Sequence, residues 1–93
     1  MDSYNTRLGS SRTYAILELE AVEQPDGSYI DRYDIISWYD YLGELHRLDG
    51  PAVIAPNSKM GWWIHGNSYE LEDWLHLSTI SDEVKMMLRL QHG

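Results

Sequence analysis

The stretch 38–74, WYDYLGELHRLDGPAVIAPNSKMGWWIHGNSYELEDW, holds all four tryptophans of the chain and its one Asp-Gly-Pro turn. Two aromatic–glycine units recur in it, Tyr39-Asp40-Tyr41-Leu42-Gly43 and Trp62-Trp63-Ile64-His65-Gly66. Each sets a large aromatic four residues before a glycine, and the two glycines stand 23 positions apart. Aromatic side chains suit a pleated, half-buried strand, and glycine suits the positive φ of a tight turn. Each unit is therefore expected to be a strand running into a turn. Between them, Asp49-Gly50-Pro51 is a turn in which Asp can bond nearby backbone and Pro fixes φ. Ala52-Val53-Ile54 then reads as a strand, Pro56-Asn57-Ser58-Lys59 as a turn and Met60–Ile64 as the next strand. Strand–turn units of this length bury an apolar face only against their neighbours.

Upstream, Thr13–Val22 alternates. Ala15, Leu17, Leu19 and Ala21 fall on one side, Glu18 and Glu20 on the other, which predicts a strand with one wet face. Gln24-Pro25-Asp26-Gly27-Ser28 is a turn by composition, and Tyr29–Tyr33 is expected to pair back across it. Asp34–Leu42 fits a helix through Ile35, Trp38, Tyr39 and Leu42, but its aromatic and β-branched residues favour a strand. Downstream the period changes. Asn67 with Glu70 has the spacing of a capping box, followed by Leu71, Trp74 and Leu75 on one face. Ser81 or Thr79 is expected to cap a second helix that carries Asp82 and Glu83 in its first turn and Arg89 near its end.

The chain has 93 residues, no cysteine and a formal charge of −8. That length fits one domain with a small core. Without cysteine there is neither a disulfide framework nor a thiolate metal site, as expected of a reducing compartment such as the cytoplasm. No apolar run reaches the length of a membrane span, and the first residues lack the apolar centre of a signal peptide. The negative charge disfavours direct contact with nucleic-acid phosphates. Nine of the fifteen acids lie between Glu18 and Asp49, with only Arg32 and Arg47 among them. Such a region is either a solvated face or a surface aimed at a basic groove.

Candidate catalytic groups were weighed on spacing. His46, His65 and His76, with Asp49, could converge on a metal, but no HxH, HExxH or CxxC pattern gathers them. His46 and Arg47 are expected instead to orient the Asp49-Gly50-Pro51 turn. Asp31 with Asp34, or Glu70 with Asp73, could form an acid/base pair, yet nothing in the sequence marks either pair as buried. No glycine-rich phosphate loop and no Gly-x-Ser-x-Gly elbow occurs. Adjacent aromatics such as Trp38-Tyr39 and Trp62-Trp63 point to opposite faces of a strand, so one of each pair is expected outside the core. Exposed aromatics among acids describe a protein-binding surface.

The stretch resembles short repeats of many phage-encoded small proteins, roughly W-Y-x-x-G-x-x-H-R-x-D-G-P-A, then a turn, then W-Y/W-x-x-G, often described as MORN-like. The matching positions are Tyr39, Gly43, His46, Arg47, Asp49, Gly50, Pro51, Ala52, Trp62, Trp63 and Gly66. The helical ending, through Leu90, is similar too. The chain departs from the pattern at Leu48 and at Asn57-Ser58-Lys59. The resemblance implies a phage source and leaves the activity open.

These readings give one α+β domain: a loose arm over 1–12, β-hairpin repeats over 13–66 forming a twisted antiparallel sheet of about five strands, and a helical segment over 67–93 with two short helices. The expected function is non-catalytic. The protein would be an inhibitor of a host nucleic-acid-handling or defence complex, of the anti-CRISPR or DNA-mimic type. It would need no cofactor and no metal, and would touch neither nucleic acid nor membrane directly. Glu18, Glu20, Glu23, Asp31, Asp34, Trp38, Asp40, Glu44 and Trp63 are the expected partner-binding residues. His46, Arg47, Asp49, Gly50 and Pro51 are the expected structural turn. The alternative is an assembly module that forms a homo-oligomer or binds a virion protein.

Overall fold

The computed structural model describes residues 11–92. Helix α1 (Ser11–Glu18) leads into strands β1 (Val22–Glu23), β2 (Tyr29–Ile30), β3 (Ile36–Ser37), β4 (Val53–Ile54), β5 (Met60–Ile64) and β6 (Asn67–Tyr69). Helices α2 (Leu71–Leu77) and α3 (Asp82–His92) follow. The six strands form a meander in sequence order, and every neighbouring pair is antiparallel, from Val22 opposite Ile30 to Trp62 opposite Tyr69. This is a small α+β fold, with one strand more than the sequence reading gives.

Short polar side chains make the turns. Asp26 Oδ1 accepts from the Ser28 amide at 2.9 Å and the Ser28 hydroxyl at 2.6 Å. Asp31 Oδ1 accepts from the amides of Tyr33 and Ile35, and Asn57 Oδ1 from that of Lys59. An acceptor that bonds backbone two residues on substitutes for a turn's own hydrogen bond. Gly43 and Gly66, the two glycines of the repeat, have φ of 81° and 83° as their spacing predicts. His65 precedes Gly66 with φ 47°, so both central residues of the β5–β6 turn are left-handed, which suits the twist of a hairpin. Beyond the end of β4, the segment 44–47 fills the gap. It bonds Trp38 through the His46 amide and Trp63 through the Arg47 amide.

The core sits where α2 crosses β5. Trp62, Trp74 and Leu75 are buried, with Met60, Ile64, Tyr69, Leu71, Ile80 and Leu88 packed around them. The Trp62 and Trp74 rings lie 4.8 Å apart. Burying side chains of this size contributes about 2–3 kcal/mol each. Helix α3 is tied to α2 by Arg89 Nε on Glu72 Oε2 at 2.8 Å and buries no residue completely.

Arg47 joins this core to the rest of the sheet. Its amide donates to the Trp63 carbonyl at 3.0 Å, and its carbonyl accepts the Trp74 indole N–H at 3.0 Å. Its guanidinium lies 3.8 Å from the Trp38 ring centroid, bonds Asp49 Oδ1 at 2.8 Å and reaches the Pro51 carbonyl at 3.2 Å. A Cβ on Gly50 would stand 2.7 Å from the guanidinium carbon. A side chain there would push the guanidinium off its seat. Arg47 orients the Asp49-Gly50-Pro51 turn as expected. His46 does not; its Nδ1 accepts the His65 amide instead.

Three local readings are corrected. Residues 11–18 are helical, so neither a strand over 13–22 nor an arm extending to 12 is found, and residues 1–10 lie outside the described residues. Ala, Leu, Arg and Glu are good helix formers, and only Ala15 of this helix is buried, so the alternation never meets a sheet. The helix stops at Glu20, with φ 58°, and the Ala21 amide bonds back to the Ala15 carbonyl. Secondly, Asn67 begins β6 rather than capping a helix, because pairing with Ile64 claims its backbone. Glu70 takes the N-cap position of α2 with no side-chain cap bond. Thirdly, the expected strand over 34–42 is confined to Ile36–Ser37, plus a bridge from Tyr39 to Leu45. Ser81 does cap α3, accepting the Val84 amide at 3.3 Å.

Replacing Arg47 with Lys keeps the charge but removes the flat fork that lies between Trp38 and Gly50. Arg47→Lys is expected to cost about 1–2 kcal/mol, seen as a fall of roughly 5–15 °C in Tm. An unchanged melting curve would remove Arg47 from its central place.

Candidate functional site

Six acids occupy the edge of the sheet formed by β1 and its flanking turns. Glu18 ends α1, Glu20 follows it, Glu23 lies on β1, Asp26 in the β1–β2 turn, and Asp31 and Asp34 in the β2–β3 turn. The Arg32 amide bonds the Leu19 carbonyl at 2.9 Å, which brings the β2–β3 turn against the end of α1. Glu18, Glu20, Glu23, Asp26 and Asp34 are exposed and Asp31 is half-buried. Arg32 is the only Lys or Arg between positions 18 and 46, and its guanidinium is engaged by Tyr33, with the hydroxyl at 3.1 Å and the ring centroid at 5.1 Å. The Ser28 hydrogen bonds hold the Asp26 carboxyl below its ordinary range, so it stays ionised.

Within this edge lies a cleft of about 380 Å³ whose walls include Pro25, Ile30, Ile36 and Trp38, with Asp26 among its lining. Trp38 is half-buried, and Arg47 covers one face of its ring. The fold thus places Trp38 in an apolar cleft beside Asp26, while Glu23, paired with Tyr29, lies on the other face of the same sheet edge.

Three of the expected partner-binding residues lie elsewhere. Trp63 is on β5, four strands away from β1. Glu44 is half-buried and folds over Gly66, where a Cβ would meet its carboxyl carbon at 3.3 Å. Asp40 is 7% exposed and is spent inside the molecule. Its Oδ1 accepts the amides of Leu42 and Glu44, both at 2.9 Å, and its Oδ2 meets His65 Nδ1 at 2.8 Å. The Asp40–His65 pair is 25 residues apart in sequence, and no spacing pattern announces it.

His46 completes this cluster. Its ring stacks on His65 with centroids 4.0 Å apart. One ligand atom each from Asp40, His46 and His65 lies within 4.8 Å of the others, a spacing that a divalent ion accepts. Hydrogen bonds engage Nδ1 of both histidines and both oxygens of Asp40. Nδ1 of His46 accepts an amide, so its proton sits on Nε2 and that nitrogen offers no lone pair. Asp40 Oδ1 accepts two amides and its Oδ2 meets an imidazole. The cluster therefore reads as an internal network pinning the β5–β6 turn to the 40–44 loop. His76, exposed on α2, and Asp49, paired with Arg47, take no part in it. Among the described residues no hydroxyl or amine side chain bonds the remaining nitrogen of His65.

No family model matches the chain, and neither a curated protein nor a solved structure matches it.

Burial, then the charge of His65, holds His46 below the ordinary histidine value of 6.5, while Asp40 pulls the other way. Burial opposes the charge of Asp40, but the His65, Glu44 and Leu42 hydrogen bonds outweigh it and keep its pKa below 3.8. Both groups bind protons less readily folded than unfolded, so acid favours unfolding. The His46 contribution is full above 6.5 and is lost as pH falls from there through its folded value. That of Asp40 is lost only below 3.8. In His46→Asn the amide oxygen can replace the Nδ1 acceptor without titrating. Tm is expected to fall between about pH 7.5 and 5 in the parent, and less steeply in the variant. Identical slopes would assign the acid sensitivity to other groups.

Proposed function

We propose that the protein is a non-catalytic inhibitor that binds another protein through the acidic edge around Trp38. The observation that carries this reading is that five exposed carboxylates crowd the β1 edge with one arginine among them, and one of the five, Asp26, lines an apolar cleft that includes Trp38. Clustered like charge raises the rate of encounter with an oppositely charged surface, and a half-buried indole beside it supplies desolvated contact area. The surface suits a basic groove that otherwise holds nucleic acid, and it repels nucleic acid itself. With the resemblance to phage-encoded repeats, the partner class is a host nucleic-acid-handling or defence complex, an anti-CRISPR or DNA-mimic role in the host cytoplasm.

Exposed Met86, Met87 and Leu90 on α3 favour a second reading, in which the chain self-associates as an assembly module. Light scattering separates the two, since a stable homo-oligomer without a host partner supports the second.

The main test is capture from a host lysate. A basic, nucleic-acid-binding protein should be recovered, with affinity that falls as salt rises. The double variant Glu20→Lys, Glu23→Lys should weaken that binding about ten-fold or more, mainly through slower association. Binding indifferent to both salt and charge reversal would sink the proposal.

A further inference from the structure

At the opposite end of the sheet, a cleft of about 570 Å³ opens between the β5–β6 hairpin and the start of α2. Its lining includes Trp62 and Tyr69 from the core face, Trp63 from the other, and Glu70, Asp73 and His92. Trp63 pairs with Ser68 across the hairpin, and Gly61, two residues back on β5, shares their face because strand side chains alternate. That face is turned away from Trp62 and the core. The indole leans back over Gly61, where an added Cβ would stand 2.8 Å from its Nε1. Absence of a side chain at Gly61 is what lets the ring lie along the strand as a wall.

Glu70 and Asp73 stand three positions apart across the start of α2, a spacing that puts side chains on one side of a helical turn. Both are exposed. Among the described residues neither carboxylate has a hydrogen-bond or ion-pair partner. The cleft thus sets two exposed carboxylates without ion-pair partners beside indole and phenol walls, and His92 is the one basic residue of its lining.

We propose that this cleft is a binding site for a cationic side chain, an arginine presented by a peptide or protein. Arginine matches both halves of the site. Its planar guanidinium stacks on an indole face and takes a carboxylate through two parallel N–H donors, and its aliphatic stem covers apolar wall. The ammonium of lysine supplies charge without the plane. The site lies at the far end of the sheet from the acidic edge and stands whether or not that edge binds a partner.

The test is titration of the intact protein with N-acetyl-Gly-Arg-Gly-amide at about 0.15 M salt, where diffuse attraction to the net charge is largely screened. The Trp63 indole N–H resonance is followed by NMR. The arginine peptide should move that resonance, and the isosteric citrulline peptide should bind at least ten-fold more weakly. Glu70→Gln with Asp73→Asn should abolish the difference between the two peptides. Gly61→Ala, which displaces the indole and leaves the charge unchanged, should weaken the arginine peptide several-fold. Equal binding of arginine and citrulline, full binding by the Glu70/Asp73 variant, or shifts confined to residues 18–34 would each overturn the assignment. So would preferential binding of a neutral oligosaccharide in the cleft.

Discussion

Arg47, with its guanidinium held between an indole and a glycine, ties together parts of the fold that the short strand ladders do not join. Four of the six strands are two residues long, too short to be independently stable. What registers them is Arg47, which bonds the backbone of Trp63, receives the indole N–H of Trp74, and stacks on Trp38. Three of the four tryptophans thus meet at one residue, and the fourth, Trp62, packs against Trp74. A chain this small buries too little apolar area to rely on burial alone. The backbone of Arg47 holds β5 and α2, and its planar cation holds Trp38 and the Asp49-Gly50-Pro51 turn.

The acidic composition divides into two uses. Aspartates build turns: Asp26 and Asp31 bond the backbone two residues on, Asp40 holds the 40–44 loop, and Asp49 anchors Arg47. The short aspartate stem reaches nearby amides, whereas glutamate's extra methylene does so less readily. Glutamates 18, 20 and 23 are left at the surface. The exposed negative charge is therefore smaller and more local than the whole run 18–49, and much of it lies along one edge of the sheet. The opposite end keeps its own pair of carboxylates, Glu70 and Asp73, beside Trp63. Two distinct negative sites, each with a tryptophan, sit at the two ends of a single meander.

Local signals were readable where local chemistry decides. Gly43 and Gly66 take left-handed φ, the Asp26-Gly27 turn closes β1 on β2, Met60–Ile64 is a strand and Ser81 caps α3. In each case the residue type and its immediate neighbours settle the conformation. Thr13–Val22 failed because its alternation fits a strand that no neighbour accepts, so helix propensity prevails. Asn67 failed because β5 offered it a pairing partner before a helix could begin.

The sequence by itself determined the turns, the small size of the core and the negative balance of the chain. All of these follow from side chains acting on their own backbone or from summed composition. Only tertiary structure decided which acids face solvent and which are consumed inside. Asp40 reads like its neighbours until His65, 25 positions away, arrives at 2.8 Å. It also decided that Trp38 belongs with the acidic edge and Trp63 with the far cleft. The two indoles are equivalent as residues, and strand order alone places them at different ends of the sheet.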